Sequence, residues 1–220
     1  MILAIDTVAP VVGVALLDGL RCATRVERVV RGTETRLPAW IRALCAEFDV
    51  GPGAITGVAV AVGPGAFTGL RVGIATATGL AMALGVPVWP CDGLRPRAER
   101  VGRGEVLALL DARKGRFYAA RYRHGQELSP PADVAPEVAL AGLSAGFFAV
   151  GEGAVVLRAA IEAAGGQVAD GADQPGVEQL ARLGEAAFSA GQGRDPVEIR
   201  PLYVREPDAI PVAERRTGWT

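Results

Sequence analysis

The chain has 220 residues and a mass of 22.7 kDa, and 50% of it is hydrophobic, which allows one or two compact domains with a sizeable core and excludes intrinsic disorder. Its 23 basic and 24 acidic residues cancel to a net charge of -1, so any contact with nucleic acid must be local or shared rather than driven by a broad positive field. A lone histidine, His124, excludes every site that needs two, and three cysteines (Cys22, Cys45, Cys91) more than twenty positions apart fit neither a disulfide framework nor a zinc site. They read as small buried apolar side chains in a reducing, cytoplasmic compartment.

The chain opens with a short apolar run, Ile2 to Ile5, ending at Asp6, without the basic leader of a secretory signal. A turn from Thr7 to Pro10 leads into the valine-rich run Val11 to Leu17, closed by Asp18-Gly19, and together these predict a hairpin. A third strand is expected in Leu20 to Val30. The period then changes, with Leu37, Trp40, Ile41, Leu44 and Phe48 at helical spacing, so Glu34 to Phe48 reads as an amphipathic helix with Pro38 in its first turn.

Ile55 to Val62 reads as a buried strand, Gly63 to Phe67 as a glycine-rich loop, and Thr68 to Leu84 as a helix closed by Gly85 and Pro87. From Asp49 to Asp92 the sole charge between the two aspartates is Arg71, but the prolines and glycines before it break any membrane span, and the region reads as soluble core. The order strand, strand, strand, helix, strand, helix is the half-unit of ribonuclease H-like and actin-like folds.

The second half echoes the first. Leu107 to Asp111, a turn over Ala112 to Gly115 and a strand from Arg116 to Tyr122 repeat the pattern of an apolar strand that ends in an aspartate and doubles back. Asp6 and Asp111 lie 105 residues apart, close to half the chain, as two related lobes require, although two apolar strands can share this pattern by coincidence. A Pro-rich link (Ser129 to Pro136), a strand near Phe147 to Val150, a helix over Ala154 to Ala164, another over Val177 to Ala190 and an extended, mobile tail complete the reading. The predicted domains are residues 1–104, a smaller lobe at 105–205 whose late helix can pack back on the first, and a tail at 206–220. The first region carries 11 basic and 8 acidic groups and the remainder 12 and 16, an asymmetry too small to predict tRNA affinity.

Two places could carry chemistry. Gly63-Pro64-Gly65-Ala66-Phe67-Thr68-Gly69 joins a strand to a helix start, where glycines admit a ligand and free N–H groups favour an anion. It lacks the Lys-Ser/Thr of a P-loop, and a tight turn packed against neighbouring chain explains it as well. Asp6 with Thr7, and Asp111, stand at strand ends where carboxylates could hold a magnesium nucleotide between lobes, with Arg113 and Lys114 near its phosphates. Aspartate is equally a turn-capping residue. His124 before Gly125 reads as a turn.

The helix after the loop offers only Arg71, Thr76 and Thr78 as polar side chains between Leu70 and Gly85, so it is expected to be covered on several sides. Small residues recur every four positions in Gly69, Gly73, Ala77, Ala81 and in Ala75, Gly79, Ala83. They admit close backbone approach, either to the second lobe or to another subunit. Leu37, Trp40, Thr68, Leu70, Arg71, Gly73, Ile74, Ala77 and Ala81 are the candidate partner-interface residues.

Ile2-Leu3-Ala4-Ile5-Asp6-Thr7, the block Gly63 to Gly73 with Ala75-Thr76-Ala77 and Gly79-Leu80-Ala81, Leu110 to Gly115, and the tail Pro201-Leu202-Tyr203-Val204-Arg205 with Pro207-Asp208-Ala209 together resemble the TsaB family, in order and from end to end of the chain. The resemblance implies an α/β protein of two ribonuclease H-like lobes, mixed sheets flanked by helices, in the actin-like and sugar-kinase superfamily. It implies a non-catalytic subunit that supports a TsaD-like paralogue in transferring threonylcarbamoyl to tRNA adenosine beside the anticodon. It implies that a TsaE-like ATPase joins the complex, that a homodimer forms through the first two helices when the chain is alone, that tRNA is met only within the complex, and that no membrane is involved. It further implies no intrinsic cofactor or metal, with weak ATP or ADP and Mg2+ as an option in the complex, through Asp6, Thr7, Gly63, Gly65 and Asp111. Two departures stand out: Gly32-Thr33-Glu34 replaces the family's His-Ser-Glu, and Ala66 replaces its serine after Gly-Pro-Gly. The rivals are an ATPase or kinase in its own right and a metal-dependent glycopeptidase, the latter disfavoured by the side-chain inventory.

Overall fold

The structure, a computed structural model, describes residues 1–205. The expected tail at 206–220 lies outside the described residues. Strands β1 (Ile2–Asp6), β2 (Val11–Asp18) and β3 (Arg21–Arg28) form an antiparallel meander. After helix α1 (Thr33–Glu47), strand β4 (Gly57–Ala61) returns parallel to β1, and after α2 (Phe67–Leu84), β5 (Val88–Cys91) pairs parallel with β4. The short helix α3 (Arg95–Glu99) leads to a second meander of β6 (Glu105–Asp111), β7 (Phe117–Arg123) and β8 (Gln126–Val134). Then come α4 (Pro136–Leu140), β9 (Phe148–Val150), α5 (Glu152–Val156), α6 (Arg158–Ala163), β10 (Gln167–Val168) and α7 (Val177–Ser189). The sheets run β3-β2-β1-β4-β5 and β10-β9-β6-β7-β8, so the second read backwards repeats the first in order and strand direction. The echo of Asp6 in Asp111 is a repeated architecture, two lobes that each carry a five-stranded sheet of the same strand order.

Alternation along the strands builds the layers. Leu3 and Ile5 face α1 and α2, whereas Ile2 and Ala4 face α7 and the second sheet. Leu107 and Leu109 face α5 and α6, whereas Val106, Ala108 and Leu110 join the core shared by both lobes. The inner faces carry small residues, Ala4, Ala15, Ala59, Ala108 and Ala120, and α7 seats Val177, Leu180 and Ala181 in the same core, on the side of the first sheet. Each aliphatic side chain removed from water there contributes about 1.5–3 kcal/mol. Helix α7 follows the second lobe in sequence and packs on the first sheet, with Gly184 against Ala59.

The differences from expectation have local causes. Strand β8 runs through Ser129-Pro130-Pro131, which reads as a link, because an edge strand tolerates residues without a donor and its ladder is irregular around Arg121. The single helix expected over 154–164 is two, broken at Leu157 (φ -92, ψ 13). Helix α1 starts at Thr33, which puts Pro38 beyond the first turn, where it removes the bond to the Glu34 carbonyl. Strand β5 and helices α3 and α4, of four or five residues, are too short to show a period.

Glu105, 5% exposed at the start of β6, accepts from Arg121 Nε at 2.9 Å, Arg123 Nη2 at 3.1 Å and the Ser144 N–H at 3.4 Å. Burial pushes its carboxyl up, but the bonds from Arg121 and Ser144 outweigh that and hold the pKa at about 2. A lowered folded-state pKa contributes stability that is complete above the ordinary value of 4.5 and disappears as pH falls toward 2. Urea unfolding at neutral pH should find Glu105→Gln less stable by about 3 kcal/mol, because Arg121 loses its buried counter-charge. The gap between variant and wild type should narrow below pH 4.5 and close as pH approaches about 2.

Candidate functional site

A cleft of about 480 Å³ lies between the lobes, walled by the β1–β2 turn, the start of α2, the β6–β7 turn and Glu152. The two turns are built alike. Asp6 Oδ1 accepts the Val8 N–H at 3.1 Å and Asp111 Oδ1 accepts the Arg113 N–H at 2.7 Å, each aspartate capping the turn it starts.

Asp6 is fully buried, and its other oxygen, Oδ2, accepts from Arg97 Nη1 at 2.6 Å. The same Nη1 reaches the Gly93 carbonyl at 2.5 Å, and Arg97, also 0% exposed, keeps Nε and Nη2 without a partner among the described residues. Both Asp6 oxygens are therefore committed, one to backbone and one to a guanidinium that supplies the positive charge a magnesium ion would bring. A resident Mg-nucleotide held by Asp6 does not fit these residues, and among the described residues no three of His, Cys, Asp or Glu gather to hold a metal.

The glycine-rich loop serves close packing. A side-chain carbon on Gly65 would collide with the Val8 carbonyl, on Gly69 with the Thr7 carbonyl, on Gly73 with Thr7 Oγ1, and on Gly63 (φ 124) with the Leu202 carbonyl. The Ala66 N–H donates to the Val8 carbonyl at 3.0 Å, and Thr7 Oγ1 donates to the Gly69 carbonyl at 2.7 Å. Of the five residues expected at a nucleotide, Gly65 and Asp111 line the cleft, while Asp6 and Thr7 are buried beneath it and Gly63 packs on the C-terminal segment.

On the second lobe, Arg113 and Lys114 take left-handed backbone (φ 64 and 55) and line the cleft with Arg71. Glu152, the first residue of α5, has a buried Oε2 without a partner among the described residues. Burial raises its pKa to about 7, the charge of Arg97 works against that, and Asp111 and Asp6 add to it. Sequence reasoning found neither Arg97 nor Glu152. Arg97 lies in a helix without a period, but Gly151-Glu152-Gly153 follows β9 as Gly63-Pro64-Gly65 follows β4, and carrying the internal echo further along the chain would have marked it.

The candidate interface residues divide by face. Leu37, Ile74, Ala77 and Ala81 pack on the chain's own first sheet with Ile5 and Val60, Gly73 lies on Thr7, and Leu70 enters the core shared by both lobes, so all six are buried within the chain. Thr68 and Arg71 are exposed and Trp40 is half-buried. The second small-residue row is the open one: Ala75, Gly79 and Ala83 are exposed beside Met82, 62% exposed. Periodicity separates the rows but does not say which meets the sheet. By length and composition alone α2 is apolar enough to cross a bilayer, yet one of its faces is packed on that sheet.

A pKa raised in the folded state stabilises below the ordinary value of 4.5 and is lost as pH rises through about 7. Glu152→Gln should remove this slope. Relative to wild type its unfolding free energy should rise by up to about 3 kcal/mol between about pH 5 and pH 8, measured by urea titration across that range.

A family model described as "TsaD: tRNA N6-adenosine threonylcarbamoyltransferase" matches residues 27–189. A crystal structure described as an uncharacterized protein with similarity to peptidase YeaZ, from Pseudomonas aeruginosa, superposes with a TM-score of 0.81 at 29% identity, covering 93% of this chain and 99% of that one. An uncharacterized protein of Mycobacterium tuberculosis is 30% identical over 96% of this chain and 95% of its own. Another, of Mycobacterium leprae, is 32% identical over 64% of this chain, which spans only 42% of that relative. The match over most of the chain, with the YeaZ-like structure and the repeated lobes, makes this chain a member of the TsaD family in its TsaB (YeaZ) branch.

Proposed function

We propose that this chain is a non-catalytic subunit of the tRNA threonylcarbamoyladenosine system, supporting a TsaD-like paralogue in the transfer of threonylcarbamoyl to the adenosine beside the anticodon. It docks through the outer face of α2 and the adjoining α1, and alone it pairs with a second copy through the same face. A TsaE-like ATPase joins the complex, tRNA is contacted only there, and the setting is the cytoplasm, where three free cysteines are at home.

The observation that carries this reading is the open row of Ala75, Gly79, Met82 and Ala83 on a helix apolar all round. Its own sheet covers one side, and small side chains on the other admit a helix backbone at close range. The pair of Asp6 with Arg97 supports the non-catalytic part, since it takes the carboxylate on which a kinase or ATPase of this fold would rely. A metal-dependent glycopeptidase has no ligand cluster among the described residues.

Ala75→Arg, on the open row, should leave the melting temperature near wild type while abolishing self-association in sedimentation and co-purification with the TsaD-like paralogue. Wild-type pairing by this variant overturns the reading. Gly73→Val, on the inner row, should instead lower stability by about 1–3 kcal/mol in chemical denaturation, because the new side chain meets Thr7 Oγ1.

A further inference from the structure

The sequence motif Pro201-Leu202-Tyr203-Val204-Arg205 has no place in the function so far, yet these five residues cross from one lobe to the other. The Leu202 N–H donates to the Val62 carbonyl at 2.7 Å, and the Leu202 carbonyl fills the space that a side chain on Gly63 would need, clamping the segment to the end of β4. The Tyr203 ring stacks on Phe67, the first residue of α2, with centroids 4.7 Å apart and planes 24° from parallel. Arg71, one turn along, brings its Nε to 3.4 Å from the Tyr203 hydroxyl and its guanidinium to 5.5 Å from the Phe67 ring. Val204 packs on the core shared by both lobes. Arg205 then donates from Nη1 to the Ala112 carbonyl at 3.1 Å in the β6–β7 turn, with Nε 3.6 Å from Asp133, a carboxylate also held by Arg116 at 2.6 Å.

We propose that Pro201–Arg205 is an interlobe clasp that positions the first turn of α2, and with it Thr68 and Arg71 of the docking face, by tying that turn to the cleft turn of the second lobe. The link to docking rests on the function proposed above; the clasp itself does not. Each contact is local, but in series they join Phe67 and Arg71 to Ala112 and Asp133, so a disturbance at one end reaches the other through Tyr203. Tyr203 and Arg205 are positioning residues here. They act on a partner through the helix end they hold.

Hydrogen exchange on the full chain separates a clasp from mere surface contact. Arg205→Ala, which cuts the tie in the second lobe, should speed exchange of the amides of Phe67 to Arg71 in the first lobe by about fivefold or more, with β1 and β4 unchanged. Arg205→Lys should recover part of the protection, and Tyr203→Phe, which keeps the stack, should stay closer to wild type than Tyr203→Ala. Exchange at Phe67 to Arg71 within about twofold of wild type in Arg205→Ala, or a uniform rise along the whole chain, overturns the clasp. Affinity for the TsaD-like paralogue should weaken in Arg205→Ala along with the lost protection. If protection is lost, Ala75→Arg abolishes binding and Arg205→Ala does not weaken it, the positioning role is overturned. If Ala75→Arg binds normally, the docking reading fails while exchange still decides the clasp.

Discussion

The buried pair of Asp6 and Arg97 is the interaction around which both lobes are arranged. Two charges without solvent exposure, 2.6 Å apart, are retained only where each satisfies the other, because either alone would cost several kcal/mol. Asp6 ends the first strand of the first sheet and Arg97 belongs to the helix that leads to the second, so the pair fixes the crossing point of the chain. It also decides the chemistry of the cleft above it. The carboxylate faces inward to a guanidinium and not outward to the cleft.

Small residues do the rest. Glycines at 65, 69 and 73 let the β1–β2 turn lie directly on α2, and alanines on the inner face of the first sheet let α7 lie close against it. Close packing accounts for these glycines, so a sequence that reads as a cradle for an anion is, in three dimensions, also a cradle for Thr7 and Val8. The same economy of side chain on the outer row of α2 leaves Ala75, Gly79 and Ala83 exposed among the described residues. The physical reading is that one row of small residues completes this chain's own core and the other is suited to a helix from elsewhere.

Much of this was legible in the sequence. Strand β1, helices α1, α2 and α7 and the repeated aspartate turn emerge from periodicity and turn chemistry, because each is long or sharply bounded. What escaped was set by tertiary context. Strand β8 keeps two prolines because it is an edge, and β5 is held by pairing with β4 in spite of Pro90. The residues that decide the cleft were the least visible. Arg97 and Asp6 are 91 positions apart, and nothing in the pattern around Arg97 announces a buried charge. Glu152 shows itself only through the symmetry of the two lobes. The inner and outer rows of α2 are indistinguishable by spacing, and only the contact of Gly73 with Thr7 assigns them.

The most direct test of the claim that Arg97 holds the place of a metal is calorimetric titration of ATP into the isolated full chain, with and without Mg2+. With the Asp6 carboxylate committed to Arg97, binding of the nucleotide should be weak or absent and no tighter when Mg2+ is added. Binding that Mg2+ tightens about tenfold or more would require Asp6 to leave Arg97 for the metal, and would contradict the account.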